Sequence, residues 1–228
     1  RTVLYSTKTI NDEYAFQGKA ILTTFKEDGK NKQNIGLFAD KDSENFDAVF
    51  DVNDIAPVFR RTEPGTDIFV LGFVKEDEDT WVEQSAISVI EYFFYSIYRG
   101  KLEVEIRDGE KIVEITQSNL GEMIALYDKY CKEHMADDTA FKFTAPSYWR
   151  LLQDSRHKII KAPFEYNGKS MGNYELYLLT GDDIAEKKVL EMRQAGMRIR
   201  EDCAFRIPMN FTAIFIATGE GAASQDPK

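Results

Sequence analysis

Few groups in this chain of 228 residues have types and spacing suited to chemistry. Gly65-Thr66 is the most suggestive pair. A glycine lets the backbone approach a neighbour closely, and the threonine beside it carries a hydroxyl that donates or accepts a hydrogen bond. The pair leads into Ile68, Phe69, Val70, Leu71 and Phe73, a nearly continuous apolar run that reads as a buried strand after a tight turn. The plainer alternative is that Gly65 serves only the turn and Thr66 only starts the strand. Cys131-x-x-His134 would put two metal ligands on one helix face. Zinc takes about four ligands, and no second pair lies nearby in sequence, so packing is the better reading. Cys203 and His157 have the types of a thiol nucleophile and its base, but nothing around either marks it as activated. The run Glu76, Asp77, Glu78, Asp79 reads as a solvated linker. No Gly-x-x-x-x-Gly-Lys-Ser/Thr phosphate loop occurs.

Composition narrows the classes further. Hydrophobic residues make up 43% and charged residues 30%, the balance of a globular chain. A net charge of −10 argues against a free-standing nucleic-acid binder, which needs a basic face. No apolar run approaches the ~20 residues that span a bilayer, and no signal peptide is visible. Two cysteines fit free thiols in a reducing cytoplasm better than a disulfide. The opening without Met and the small-residue stretch from Gly219 to Ser224 read as a piece of a longer protein.

The elements that must position these groups follow from periodicity. Strands are expected at Thr2 to Thr7, Ala15 to Phe25 and Ile35 to Ala39, with a tight turn at Asp28-Gly29. Asn53 or Asp54 is expected to cap a short helix through Ile55, Val58 and Phe59. A domain boundary is placed at Lys75 to Thr80, dividing the chain into 1–76 and 77–228. A helix with Val82, Ala86, Val89, Ile90, Phe93 and Ile97 inward opens the second part, capped by Asp79 or Thr80 and stopped by Gly100. A hairpin turning at Asp108-Gly109 follows, then a second helix capped by Ser118 and a short one begun by Pro146. Tyr174 to Leu179 reads as a strand. A helix from Asp182 or Asp183 to Gly196 is expected to turn Ile184, Val189 and Met192 inward. Met197 to Arg200 and Phe211 to Ala217 close the chain as strands. Mixed strands, helices and hairpins make the fold class α+β.

Three stretches then resemble the later part of a GHKL ATPase domain: Arg1 to Thr7, Ala15-Phe16-Gln17-Gly18, and Phe59 to Ile68. That superfamily includes gyrase B subunits, heat-shock-ninety chaperones, MutL-type mismatch-repair ATPases and sensor histidine kinases. The chain looks similar in particular to a bacterial group of heat-shock-ninety-like ATPases. Phe93 to Ile97, Gly100 to Val104 and Val189 to Met197 resemble the transducer domain that follows in such proteins, while 136–169 carries no motif of the family.

The resemblance implies a sheet remnant of a Bergerat-type ATPase domain over 1–76 and an α+β transducer-like domain over 77–228. It implies that Gly65 and Thr66 lie beside the adenine, and that Arg193, Arg198 or Arg200 reaches the γ-phosphate, where a guanidinium can bond bidentately. The bland alternative for the arginines is solvated charge near a helix end. ATP and magnesium are the cofactors implied for the whole protein, and a homodimer or a protein client is the partner. The Glu- and Asn-bearing helix, the Asp-x-Gly-x-Gly segment and the glycine lid of the family are not found. Glu27 and Asn31 have a tempting spacing, but Asp28-Gly29 puts them on a hairpin. The start at Arg1 falls where the lid glycines would just have ended. This chain alone is therefore expected not to hydrolyse ATP and to hold no cofactor by itself. Two further classes stay open: an interaction module with no nucleotide role, and an enzyme with an unrecognised carboxylate site.

Overall fold

The computed structural model describes residues 2–74, 80–135 and 141–218. The acidic run at 76–79 and the small-residue end at 219–224 lie outside them. The chain divides into two compact units, Arg1–Glu76 and Asp77–Lys228.

The first unit is built on β1 (Thr2–Lys8), β2 (Tyr14–Ile21), β5 (Ile35–Phe38) and β6 (Gly65–Leu71), in the order β5-β2-β1-β6 and antiparallel throughout. A small hairpin, β3 (Phe25–Glu27) and β4 (Lys30–Lys32), turns at Asp28-Gly29, both at positive φ. It carries Glu27 and Asn31 on its strands. The expected helix at 53–59 is instead two 3-10 turns, Val52–Asp54 and Pro57–Phe59. Asp51, not Asn53 or Asp54, caps the first, accepting from the Asn53 amide. Pro57 interrupts any longer helix because it disfavours helical backbone at the residue before it.

The core of this unit is small: Leu4, Phe16, Val49 and Ile55, with Tyr14, Phe59 and Phe69 against them. Gly18 faces Leu4 so closely that a Cβ there would lie 2.4 Å from Leu4 Cδ2. The strand entered at Gly65 is not the buried one that its apolar run predicts. β6 is an edge strand, and Ile68 is 61% exposed.

The second unit carries a five-stranded sheet in the order β12-β11-β13-β10-β9. Its strands are β9 (Lys158–Tyr166), β10 (Lys169–Thr180), β11 (Lys187–Met192), β12 (Arg198–Asp202) and β13 (Phe211–Thr218). Only β11 and β13 run parallel. α1 (Trp81–Tyr98), α2 (Leu120–His134), α3 (Ala145–Gln153) and the hairpin of β7 (Val104–Asp108) and β8 (Lys111–Ile115) complete it.

Helix α1 buries Val82, Ala86, Ile90 and Ile97 as its spacing predicts, while Val89 and Phe93 are only half-buried. Phe94 and Tyr148 stack in the centre, each 0% exposed. Burying side chains of that size contributes about 2 kcal/mol each. Thr80 and Asn119 occupy the N-cap positions of α1 and α2, without side-chain cap bonds. Asn119 therefore displaces Ser118 there, and its Oδ1 accepts from the Thr116 amide at 2.8 Å.

The structure overturns the helix expected from 182 to 196. Residues 187–192 form β11, whose inward positions are Lys188, Leu190 and Met192, with Val189 only half-buried. Gly196, at φ +83°, closes the β11–β12 hairpin rather than a helix. A lysine at an inward position hid the period of two. The architecture is α+β, built of antiparallel and mixed sheets with three α-helices among the described residues.

Candidate functional site

Strand pairing places the Gly65-Thr66 corner. Thr66 lies opposite Thr7 in the β1–β6 ladder, and their hydroxyls are 3.0 Å apart. Gly65 takes φ +142°, and a Cβ there would meet the Arg61 guanidinium at 2.8 Å. Arg61 is held by the Glu63 carbonyl and by the Asp67 carboxylate. The backbone angle favours glycine at 65, since an L side chain is strained there, whereas the guanidinium is the movable end of a long side chain.

The same register defines the sheet face that Thr66 shares. Leu4, Phe16, Gly18 and Phe69 point to the core, so Val3, Tyr5, Ile68 and Val70 point the other way. Ile21, Ile35 and Leu37 continue that second face through β2 and β5. Tyr5, Ile21, Ile35, Leu37, Ile68 and Val70 are all exposed. Gln17 and Lys19 of β2 share this face, so the exposed apolar side chains flank two polar ones.

The three arginines do not converge. The β11–β12 pairing sets Arg198 opposite Met192 and Arg200 opposite Glu191, with a register shift between. That shift turns two arginines only two residues apart to opposite faces of the sheet. Arg200 spans Glu191 with two hydrogen bonds of 2.9 Å at the surface. Arg193 stands in the turn, exposed, its amide donating to the Met197 carbonyl.

Arg198 turns inward and pairs with Glu91, a carboxylate only 2% exposed in the middle of α1. Glu91 also accepts from Thr144 N at 2.8 Å, Thr144 Oγ1 at 2.6 Å and Ala145 N at 2.9 Å. It therefore caps α3 from another helix, supplying the acceptors that the first amides of α3 lack. Arg198 reaches Thr144 Oγ1 as well, and Glu201 at 3.8 Å. Glu201 in turn accepts from the Tyr148 hydroxyl at 2.6 Å. Burial pulls the Arg198 pKa down while Glu201 and Cys203 oppose the shift; a guanidinium stays charged regardless. Burial, then the Glu201 hydrogen bond, pushes the Tyr148 phenol far up.

The cysteine expectations resolve plainly. Both thiols are free. Cys131 sits against Met135 at 3.9 Å, and the His134 ring packs on Tyr130. Cys203 is exposed, and burial and Glu201 raise its pKa, the opposite of activation. Among the described residues no three His, Cys, Asp or Glu side chains are grouped to hold a metal ion.

Sequence reasoning missed Glu91, Thr144 and Lys188. Glu91 adjoins Ile90 on an apolar stripe, and a charge on the inward face was the available signal. No family model matches the chain, and neither does any curated protein or solved structure.

Proposed function

We propose that this chain is the rear part of a GHKL-type ATPase domain followed by a transducer-like domain, and that it passes nucleotide state on to movement or dimer contacts. The observation that carries the reading is the position of Thr66. Its hydroxyl lies at one end of the exposed apolar face made by Tyr5, Ile68 and Val70. A sheet face like this suits a covering layer, and a purine slotted beneath such a layer would meet the Thr66 hydroxyl. The residues present fit only that adenine-side corner. Phosphate and magnesium would be held by segments of the family that this sequence does not contain. Of the three arginines, Arg193 is exposed, whereas Arg198 and Arg200 are paired with Glu91 and Glu191.

The test begins with the coding sequence upstream of Arg1. The extended protein should contain an Asn-bearing helix and a glycine lid and should hydrolyse ATP. Thr66→Val and Arg193→Gln should each lower its turnover at least about tenfold, the effect of one hydrogen bond to a charged or buried group. Absence of those segments, or turnover unchanged in both variants, ends the proposal.

The same exposed face supports a second reading, an interaction module with no nucleotide role. It expects Ile68→Asp to abolish association with a partner or a second copy while Thr66→Val changes nothing. No described helix is long and apolar enough to cross a membrane. A cytoplasmic location belongs to this proposal, in keeping with the two free thiols.

A further inference from the structure

Two adjacent strands of the second unit set Lys188 and Thr212 side by side beneath a cleft, with Leu179 of a third strand next to them. Lys188 on β11 lies opposite Thr212 on β13, and Thr212 lies opposite Leu179 on β10. These residues line a cleft of about 270 Å³, together with the start of α3 and the loop between β10 and β11. That volume is near the lower end of small-molecule sites, about 300–1,000 Å³.

The chemistry of the cleft is set by Lys188, which is only 3% exposed. A lysine is almost never fully buried unless its charge is matched. An ammonium has three donors. One goes to Glu186 Oε2 at 2.5 Å, and the Tyr148 ring lies 5.4 Å from Nζ. The other two have no acceptor among the described residues. Thr212, 5% exposed, and Ser147 both line the cleft, and neither hydroxyl has a hydrogen-bond partner among the described residues.

Charge points the same way. Lys142, Arg150 and Lys188 line the cleft against the two carboxylates Asp183 and Glu186. Three cations share these two carboxylates: Lys188 at 2.5 Å and Lys142 at 3.4 Å both bond Glu186, and Arg150 pairs with Asp183, so the lining carries one more positive group than negative. The amides that begin α3 are already taken by Glu91, which leaves recognition to side chains.

We propose that this cleft binds a small oxyanion, the phosphate or carboxylate group of a small molecule. Lys188 holds it from below, Ser147 and Thr212 bond it from the sides, and Lys142 closes on it at the mouth. The site lies wholly within the second unit and does not depend on the nucleotide reading.

The test is thermal unfolding of the full chain titrated with sodium phosphate and, separately, sodium acetate, each against sodium chloride at equal ionic strength. A saturable rise in Tm is expected, because a ligand that binds only the folded state stabilises it. Saturation by phosphate alone assigns a phosphate group, and saturation by acetate alone or by both assigns a site that takes carboxylates. Lys142→Gln and Ser147→Ala should each raise the half-saturating concentration, by about tenfold where a hydrogen bond to the charged ligand is lost. Lys188→Met should abolish saturation. No saturable rise with either anion, or an equal rise in wild type and in Lys188→Met, overturns the proposal. Should Lys188→Met not fold, unchanged half-saturation in both other variants overturns it equally.

Discussion

Glu91 and Arg198 meet inside the second unit, one from the middle of helix α1 and the other from strand β12. The same carboxylate takes the Thr144 and Ala145 amides that begin α3. One buried charge therefore ties three elements that are far apart in sequence. Taking a carboxylate and a guanidinium out of water costs several kcal/mol per ion, which only good geometry and further hydrogen bonds offset. Glu91 has both.

Removing either partner should destabilise strongly. Glu91→Gln leaves Arg198 without its nearest countercharge, and a loss of about 3 kcal/mol is expected from breaking a buried pair. Urea unfolding followed by circular dichroism measures it. Arg198→Met should cost a similar amount, and the double variant less than the sum, by about 1–3 kcal/mol of coupling. Strictly additive losses would show that the two residues do not act as a pair.

Gly196→Ala should be far worse than Gly109→Ala. Both glycines close hairpins at positive φ, +83° and +59°. A Cβ at Gly196 would lie 2.5 Å from Ser96 Oγ and 3.0 Å from the Ser96 amide, whereas nothing lies within 4 Å at Gly109. The left-handed backbone costs about 1–2 kcal/mol at either position. The clash at 196 adds about 1–3 kcal/mol, the usual cost of overpacking. Equal losses in chemical denaturation would contradict the packing of this turn on α1.

Alkaline pH should separate the tyrosines. Burial, then Glu83 and Tyr130, pushes the Tyr127 phenol up to about 12. Burial is also the main cause of the upward shifts of Tyr95 and Tyr148. An unfolded tyrosine ionises near pH ~10. A phenol kept neutral by the fold therefore gives its full stabilisation below about pH 10, and loses it as pH rises through the folded value. Absorbance at the phenolate band should not reach its full value near pH 10, where that of an unfolded chain is half-developed. Further ionisation should wait for higher pH and coincide with loss of circular dichroism. A single step for all 11 tyrosines near pH 10 would contradict their burial.

Acid should loosen the second unit from its rim. Asp154 is held below its usual range by the Arg156 side chain, Glu175 by Lys161 and Glu186 by Lys188. Depressed carboxylates stabilise above their unfolded pKa of about 4 and lose that contribution as pH falls through the lower folded values. Arg156→Gln should move the acid midpoint to higher pH and should lower stability more at pH 7, where the Asp154 and Asp183 carboxylates are ionised, than at pH 3. The Arg156 contacts are exposed, so the shift should shrink at high salt. A salt-independent midpoint would contradict it.

Local pattern alone determined much of this protein. The 3.6-residue spacing in α1, the alternation in β7, and the Asp-Gly pairs at 28–29 and 108–109 each name their structure, because adjacent residues carry the whole signal. Gly65 needed tertiary structure: its backbone angle is a turn property, but the Arg61 guanidinium pressed against it is not visible in the sequence. Residues 187–192 were decided by pairing. With Lys188 inward, their local pattern fits neither period cleanly, and the parallel ladder to β13 makes them a strand. Strand β9 had no motif and exists because β10 offers it an edge. The fate of the arginines was likewise a matter of register, since one shift between Glu191 and Met192 sends Arg198 to Glu91 and Arg200 to the surface. Burial of charge depends on partners brought from other elements, and only folding assembles them.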